Sequence, residues 1–260
     1  MGSMSNMDIS STDTVSPVFN AGDYLPIALV GMGRMGQAID ALSPERNCEV
    51  VARLGADEMN SMTIAALSGA RVAIEFTRPD AAFTNIRTLL TLGCPVVVGT
   101  TGWTARLPEL ESVVRSTGTA VLWAPNFSVG VQLFLNLMRK TAEQLGGALA
   151  AFDAHIVETH HAGKKDAPSG TAAAIAENLG AGMQREIPIT SVRVGAVPGT
   201  HEVILDSPFE QIRMVHEARD RRVFADGALL AARWLTRQTE PAVYTMQDVL
   251  TRPGITGETA

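Results

Sequence analysis

The amino-acid sequence predicts an α/β fold built around a doubly wound parallel sheet. Three observations carry that prediction. Up to residue 126, apolar runs of strand length alternate with helix-patterned segments, and such alternation implies parallel pairing with helices on both faces. The first apolar run ends in Gly31, Gly33 and Gly36, in G-x-G-x-x-G spacing, which makes the sheet Rossmann-type. All five histidines (His155, His160, His161, His201 and His216) lie in the later part of the chain, so the two halves are expected to do different work.

In chain order, "IALV" (27–30) suits a strand buried on both faces. After the glycine turn, Met35, Ile39 and Leu42 recur at helical spacing. The glycines permit a tight turn and let backbone N–H groups from Gly31 through Met32, Gly33, Arg34, Met35 and Gly36 approach a pyrophosphate at a positive helix end. "CEVVARL" (48–54) and "RVAIEFT" (71–77) read as the second and third strands. "PDAAFTNIRTLLTLG" (79–93) is a helix with Pro in its first turn and Gly just past its end. "CPVVVGTTGW", "ARLPELESVVRSTG" and "TAVLWAPNFS" continue as strand, helix and strand. Ligands of such sheets bind at the carboxyl ends of the strands. Three loops fall there: Phe76 and Thr77 of "FTRP", Gly99 to Gly102 of "GTTG" (with Thr100 and Thr101), and Ala124, Asn126 and Phe127 of "APNFS". The place of a ribose-binding acid after the second strand falls near Gly55, with Asp57 and Glu58 beyond it. Arg34 and Arg53 could instead meet a 2′-phosphate, so the cofactor is NADPH or NADH without a choice between them.

The second half begins with a helix over "SVGVQLFLNLMRKTAEQLG", whose apolar side includes Val131, Phe134, Leu135 and Met138. "FDAHIVETHH" reads as a strand, and Ser169 as the N-cap of a helix over "TAAAIAENLG" closed by Gly180. "SVRVGAVPGTHEVIL" (191–205) reads as two strands around a turn, followed by a strand ending near His216 and a helix from about Arg222. The N–H groups of Ser169, Gly170 and Thr171 are expected to be unpaired at a positive helix end, a ready carboxylate or phosphate site. His160 and Lys164, in the loop ahead of it, could deliver a proton or hold an anion. A solvated loop with an ordinary N-cap would use the same residues, so this stretch alone leaves both readings open.

Composition narrows the class. Hydrophobic residues are 46% and charged residues 18%, as in an ordinary globular protein. The net charge of −6 argues against a generic nucleic-acid binder, and no apolar run is long enough to cross a bilayer. Residues 1–24 form a polar tail without the apolar core of a secretory signal, and its opening "MGS" reads as a cloning scar. Cys48 and Cys94 lack metal spacing and suit buried free thiols of a cytoplasmic protein. A zinc site from His155, Glu158, His160 and His161 lacks helical i, i+4 spacing, so no metal is expected.

The pieces "GMGRMG", "EFTRP", "VVVGTTGW", "APNFSVGV", "ETHHAGKKDAPSGTA", "VRVGAVPGTHEV" and "HEARDRRVFADGA" run in the order seen in 4-hydroxy-tetrahydrodipicolinate (dihydrodipicolinate) reductases, a family the chain resembles over nearly its whole length. The most specific piece is E-x-H-H-x-x-K-x-D-A-P-S-G-T. The resemblance implies a dinucleotide-binding domain from residues 25–126 and 225–260, with an α+β substrate and oligomerisation domain, 127–224, inserted between them. It implies a mixed sheet in that second domain, a homotetramer, and a small cyclic dicarboxylate as substrate. It also implies His160 as catalytic acid, Lys164 as second proton-donating or orienting group, and His161, the Ser169–Thr171 turn and Arg221 as carboxylate ligands. Gly99, Thr101 and Gly102 match the loop that touches the nicotinamide, and Ala124, Asn126 and Phe127 its neighbour. The chain departs from the family pattern in a shorter glycine loop, in Gly55 and Thr200, and in a shorter segment between Leu179 and Arg193. A dehydrogenase acting on aspartate or homoserine, or a nucleotide-sensing protein without catalysis, could share the glycine turn but would leave "HHAGKKDAPSGT" without a role.

Overall fold

The computed structural model describes residues 24–55, 62–149 and 151–252. All but the last residue of the 1–24 tail, together with Asp57 and Glu58, lie outside the described residues. Strand β1 (Leu25–Val30) leads through the glycine turn to α1 (Arg34–Leu42), and the chain continues through β2 (Cys48–Leu54), β3 (Val72–Glu75) and α2 (Pro79–Thr91). Then come β4 (Val96–Val98), α3 (Leu107–Thr117) and β5 (Val121–Trp123). These strands, with the late β10 (Val243–Tyr244), form one parallel sheet in the order β10-β5-β4-β3-β1-β2. The order reverses between β1 and β3, which opens a crevice above their carboxyl ends.

The strand sequences suit that place. Ile27, Leu29, Ile74, Val97 and Leu122 face one helical layer, and Ala28, Val30, Ala73, Val96 and Val98 face the other. Both faces are therefore apolar, as buried parallel strands require. Pro79 opens α2, as the sequence predicts, and Gly118 closes α3 in the left-handed conformation.

The second layer starts with α4 (Val129–Leu149), followed by β6 (Asp153–His160), α5 (Gly170–Met183), β7 (Ile189–Arg193), β8 (Gly199–Asp206) and β9 (Gln211–Ala218). Its four strands lie in the order β7-β6-β8-β9. β6 pairs parallel with β7 and antiparallel with β8, so the sheet is mixed. The two strands expected around the 194–198 turn both exist, but they are not neighbours: β6 lies between them. One face of this sheet packs on α4 and α5 through Met138, Ile156, Ile175, Leu179 and Val203.

Helix α5 does not stop at Gly180; it runs to Met183, and Gln184 takes the left-handed cap at φ 53°. Tertiary packing explains the extension. A Cβ at Gly182 would come within 2.5 Å of Ala142, so glycine there lets α5 lie close against α4.

From the second sheet the chain returns through α6 (Arg222–Leu235) and, after β10, ends its described part with α7 (Met246–Thr251). Ala225, Ala228, Ala231 and Ala232 of α6 are buried beside the first sheet. Gly227 brings that helix backbone against the "APNFS" loop, where an added Cβ would lie 1.8 Å from the Phe127 carbonyl oxygen. Gly227→Ala is therefore expected to destabilise the fold by about 2 kcal/mol, since overpacking against backbone has no side chain to give way. A thermal melt lowered relative to the unsubstituted protein checks this.

Candidate active site

The crevice side of the site is built by close approach. Gly31, at φ 97°, sits so near the third strand's loop that a Cβ would be 2.2 Å from the Phe76 carbonyl oxygen. A Cβ at Gly36 would lie 2.1 Å from the Gly31 oxygen, which packs α1 onto its own turn. Gly33 has open space instead and, as N-cap, offers no side chain to the first N–H groups of α1. This is the cradle a pyrophosphate needs, so the residues present fit a dinucleotide cofactor. Arg34 is exposed and has no ion pair among the described residues. Arg53 is held by Asp40 through two bonds of 2.8 and 2.7 Å.

The Phe76 ring occupies the space a Gly99 side chain would need and packs 5.8 Å from the Phe127 ring. Thr77 N–H donates to Thr100 Oγ1 at 2.7 Å, and Trp103 Nε1–H to the Thr100 carbonyl at 2.7 Å. These bonds hold the "FTRP" and "GTTG" loops together.

Between the two sheets lies a cleft of about 590 Å³. From the first sheet it receives Met35, Phe76, Gly99, Thr101, Asn126 and Phe127. The second layer contributes His160, His161, Lys164, Ser169, Gly170 and Thr171, and Arg221 comes from the start of α6. The remaining predicted cofactor residues Gly31, Met32, Gly33, Arg34, Gly36, Arg53, Thr77, Thr100, Gly102 and Ala124 do not line it. Asn126 Nδ2 donates to Thr171 Oγ1 at 3.3 Å and joins the two walls.

His160 is not in a loop: it is the last residue of β6 and only 8% exposed. Strand alternation puts it on the same inward face as Glu158, two residues earlier. Its Nδ1 bonds the Glu158 carboxylate, and Nε2 has no bond among the described residues. Glu158 is fully buried at 0% exposure. Its other oxygen takes a bond of 2.7 Å from Arg193, and one of 3.3 Å from the Ser169 N–H. Burial works against the Glu158 charge, but the bonds from Arg193, Ser191 and His160 outweigh it and hold the group at about 2. Arg193 also donates to the Asp166 carbonyl at 2.6 Å, and the Asp166 carboxylate is paired with Lys164 Nζ at 2.8 Å. Lys164 is therefore a paired cation at the cleft wall.

The predicted N-cap is present: Ser169 Oγ accepts from the Ala172 N–H at 3.2 Å. One expectation changes, because the Ser169 N–H is spent on Glu158. The N–H groups of Gly170 and Thr171 have no acceptor among the described residues. Ser169 Oγ also meets His201 Nε2 at 3.2 Å. His201 stacks edge-on to His160 at 5.2 Å and lies 6.1 Å from His216. Burial, followed by the neighbouring histidine charges, pushes His201 down to about 4, so it stays neutral at ordinary pH. Burial also lowers His160, with Glu158 pulling the other way and the Lys164 and Arg193 charges adding to the decrease.

Sequence reasoning missed Glu158 and Arg193 as parts of the site. Alternation in β6 could have paired Glu158 with His160; Arg193 is brought in only by the β6–β7 register, which sets His160 opposite it. Gln132 and Asp166 also line the cleft; Asp166 stands inside the E-x-H-H-x-x-K-x-D-A-P-S-G-T motif without an assigned role, and Gln132 carries no motif signal. Among the described residues, no group of three or more His, Cys, Asp or Glu side chains could hold a metal.

Known proteins resemble this chain over most of its length. Residues 25–127 match the family model "Dihydrodipicolinate reductase, N-terminus", and residues 130–250 match "Dihydrodipicolinate reductase, C-terminus". The chain is 38% identical over 240 residues to a 4-hydroxy-tetrahydrodipicolinate reductase of Christiangramia forsetii, covering 86% of this chain and 97% of that one. It is 40% identical over 201 residues to the Rubrobacter xylanophilus reductase, covering 70% and 74% of the two chains. In fold it is similar to a dipicolinate-bound dihydrodipicolinate reductase from Paenisporosarcina sp. TG-14, with a TM-score of 0.68, 22% identity and coverage of 85% and 98%.

The Glu158 cluster has a pH signature. An unfolded glutamate titrates near about 4.3, whereas in the fold Glu158 is held at about 2. Because the folded value is the lower, its stabilisation is present above the unfolded value and is lost as pH falls toward the folded one. Chemical denaturation between pH 5 and 3 should show the unsubstituted protein losing more stability than Glu158→Gln does.

Proposed function

The chain belongs to the dihydrodipicolinate reductase family, and we infer that its cleft is where 4-hydroxy-tetrahydrodipicolinate (dihydrodipicolinate) is reduced to tetrahydrodipicolinate with NADPH or NADH. This is the NAD(P)H-dependent reductive step of diaminopimelate and lysine biosynthesis. One observation carries the residue assignment. A wall of helix-end N–H groups (Gly170, Thr171), the His161 ring and two cations (Lys164, Arg221) faces the loops Phe76, Gly99 and Thr101 across a single cleft.

The open N–H groups of Gly170 and Thr171, at the positive end of α5, receive one carboxylate of the substrate. Lys164 and Arg221 supply the positive charge for the rest of the dianion, and His161 offers it a ring nitrogen as a hydrogen-bonding partner. NADPH or NADH, when bound, supplies the hydride. With the 4-hydroxy substrate, one hydride and one proton enter and one water leaves. His160 delivers the proton from Nε2, because Nδ1 is committed to Glu158. Empty of substrate, burial and the nearby cations disfavour a charged imidazole. A bound dianion reverses that balance, so His160 takes up its proton together with the substrate. Lys164 holds the dianion and is the second proton donor. His201 and Ser169 keep the imidazole and the helix start in place.

Residues 25–126 and 225–260 form the cofactor domain in this reading, and 127–224 the substrate domain; β10 and α6 complete the first sheet and its covering layer. Arg34 is the arginine available to a 2′-phosphate, since Arg53 would first have to leave Asp40. Val192 and Val215 are exposed on the sheet face opposite α4 and α5, which fits assembly of homotetramers through that face. No helix among the described residues is long and apolar enough to cross a membrane, and we place the enzyme in the cytoplasm.

Turnover of freshly made substrate, with oxidation of NADPH or NADH, tests the reading; activity only on aspartate or homoserine would overturn it. His160→Gln and Lys164→Ala should each lower kcat by about a hundredfold or more. Cofactor affinity, read separately by nicotinamide fluorescence, should stay close to that of the unsubstituted protein in both variants. A binding protein without catalysis would lose nothing in kcat.

A further inference from the structure

Glu75 is a buried acid that the proton chemistry does not use. It ends β3, in the middle of the parallel sheet, and is 0% exposed. Its neighbours Val72, Ala73 and Ile74 are the apolar residues such a strand calls for. Among the described residues no lysine or arginine pairs with it, and its Oε2 is sealed from solvent without a partner in hydrogen-bonding geometry. Burying a carboxyl this way is costly, so its place under the cofactor crevice needs an explanation.

Its contacts supply one. Oε1 accepts the Thr77 hydroxyl, which in turn accepts from Asn85 Nδ2 of α2 at 3.3 Å. The Glu75 carbonyl accepts the Gly99 N–H at 2.9 Å. Thr77 N–H closes the ring onto Thr100 Oγ1 at 2.7 Å. The Glu75 side chain thus steadies Thr77, whose N–H joins the Phe76–Thr77 loop to the Gly99–Thr100 loop, where the Phe76 ring is seated on Gly99.

We propose that Glu75 is a positioning residue for the nicotinamide dinucleotide, bracing the two loops that form one wall of its site so that the wall is already shaped before the cofactor arrives. A preformed wall spares the ordering cost that binding would otherwise incur. Burial raises the Glu75 carboxyl above its ordinary value against the opposing pull of Thr77, Thr100 and Asn85. What the brace needs from this side chain is an oxygen that accepts the Thr77 hydroxyl, and the amide oxygen of glutamine can supply one. The inference rests on the reading of this chain as a nicotinamide-dependent reductase.

Binding of NADPH and NADH, titrated without any second substrate, tests it in the full chain. Glu75→Ala should bind the better cofactor about tenfold more weakly, and Glu75→Gln within about twofold of the unsubstituted protein. At saturating cofactor, kcat of Glu75→Ala should recover while its cofactor KM stays high. Unchanged affinity in Glu75→Ala, or a loss in Glu75→Gln equal to that in Glu75→Ala, overturns the proposal. If circular dichroism shows Glu75→Ala unfolded, Thr77→Val carries the test: weakened binding supports the brace and unchanged binding refutes it. An unsubstituted protein that binds neither cofactor would instead remove the reductase reading on which the proposal stands.

Discussion

The second sheet is organised around a carboxylate that cannot reach water. Glu158 is wholly buried, and an ionised group in that position is tolerated only when its charge and lone pairs are met. Its partners include the Arg193 guanidinium, the His160 imidazole and the Ser169 N–H. Each comes from a different part of the layer, namely β7, the end of β6 and the start of α5. Satisfying one buried charge therefore fixes the relative place of His160 and the Ser169–Thr171 turn. Removing Arg193 would leave that charge uncompensated, a change that costs several kcal/mol in buried pairs.

The two walls of the cleft depend on different physics. The wall from the first sheet is made of absences: glycines at Gly31, Gly36 and Gly99 let backbone and the Phe76 ring approach to distances no side chain would permit. The wall from the second layer is made of charges and N–H groups in balance, where Lys164 is kept by Asp166 and Glu158 by Arg193. Gly227 couples the two sides, because α6 can reach the Phe127 loop only without a side chain there.

Much of this was legible in the sequence. The alternation of apolar runs and helices gave the parallel sheet, and Pro79 and Ser169 marked helix starts that the structure keeps. The residues of the cleft were legible as well, because His160, Lys164, Gly170 and Thr171 stand in one motif. What was hidden depended on register. Arg193 lies far along the chain from Glu158, and only the parallel β6–β7 pairing brings it across. His201 has no sequence signal beyond being a histidine of the second half; the antiparallel β6–β8 pairing sets it opposite Glu158 and stacks it on His160. Gly180 looked like a helix end, but close packing of α5 on α4 at Gly182 carried the helix further.

The central claim is that Glu158 commits His160 Nδ1 and leaves Nε2 for the substrate. Nitrogen-15 NMR of the labelled imidazole reports this directly, since the two ring nitrogens and their protons have separate signals. The account predicts a neutral His160 at pH 8 with its proton on Nδ1, and a mixture of tautomers in Glu158→Gln. A proton on Nε2 in the unsubstituted protein, or identical spectra for the two proteins, would contradict it.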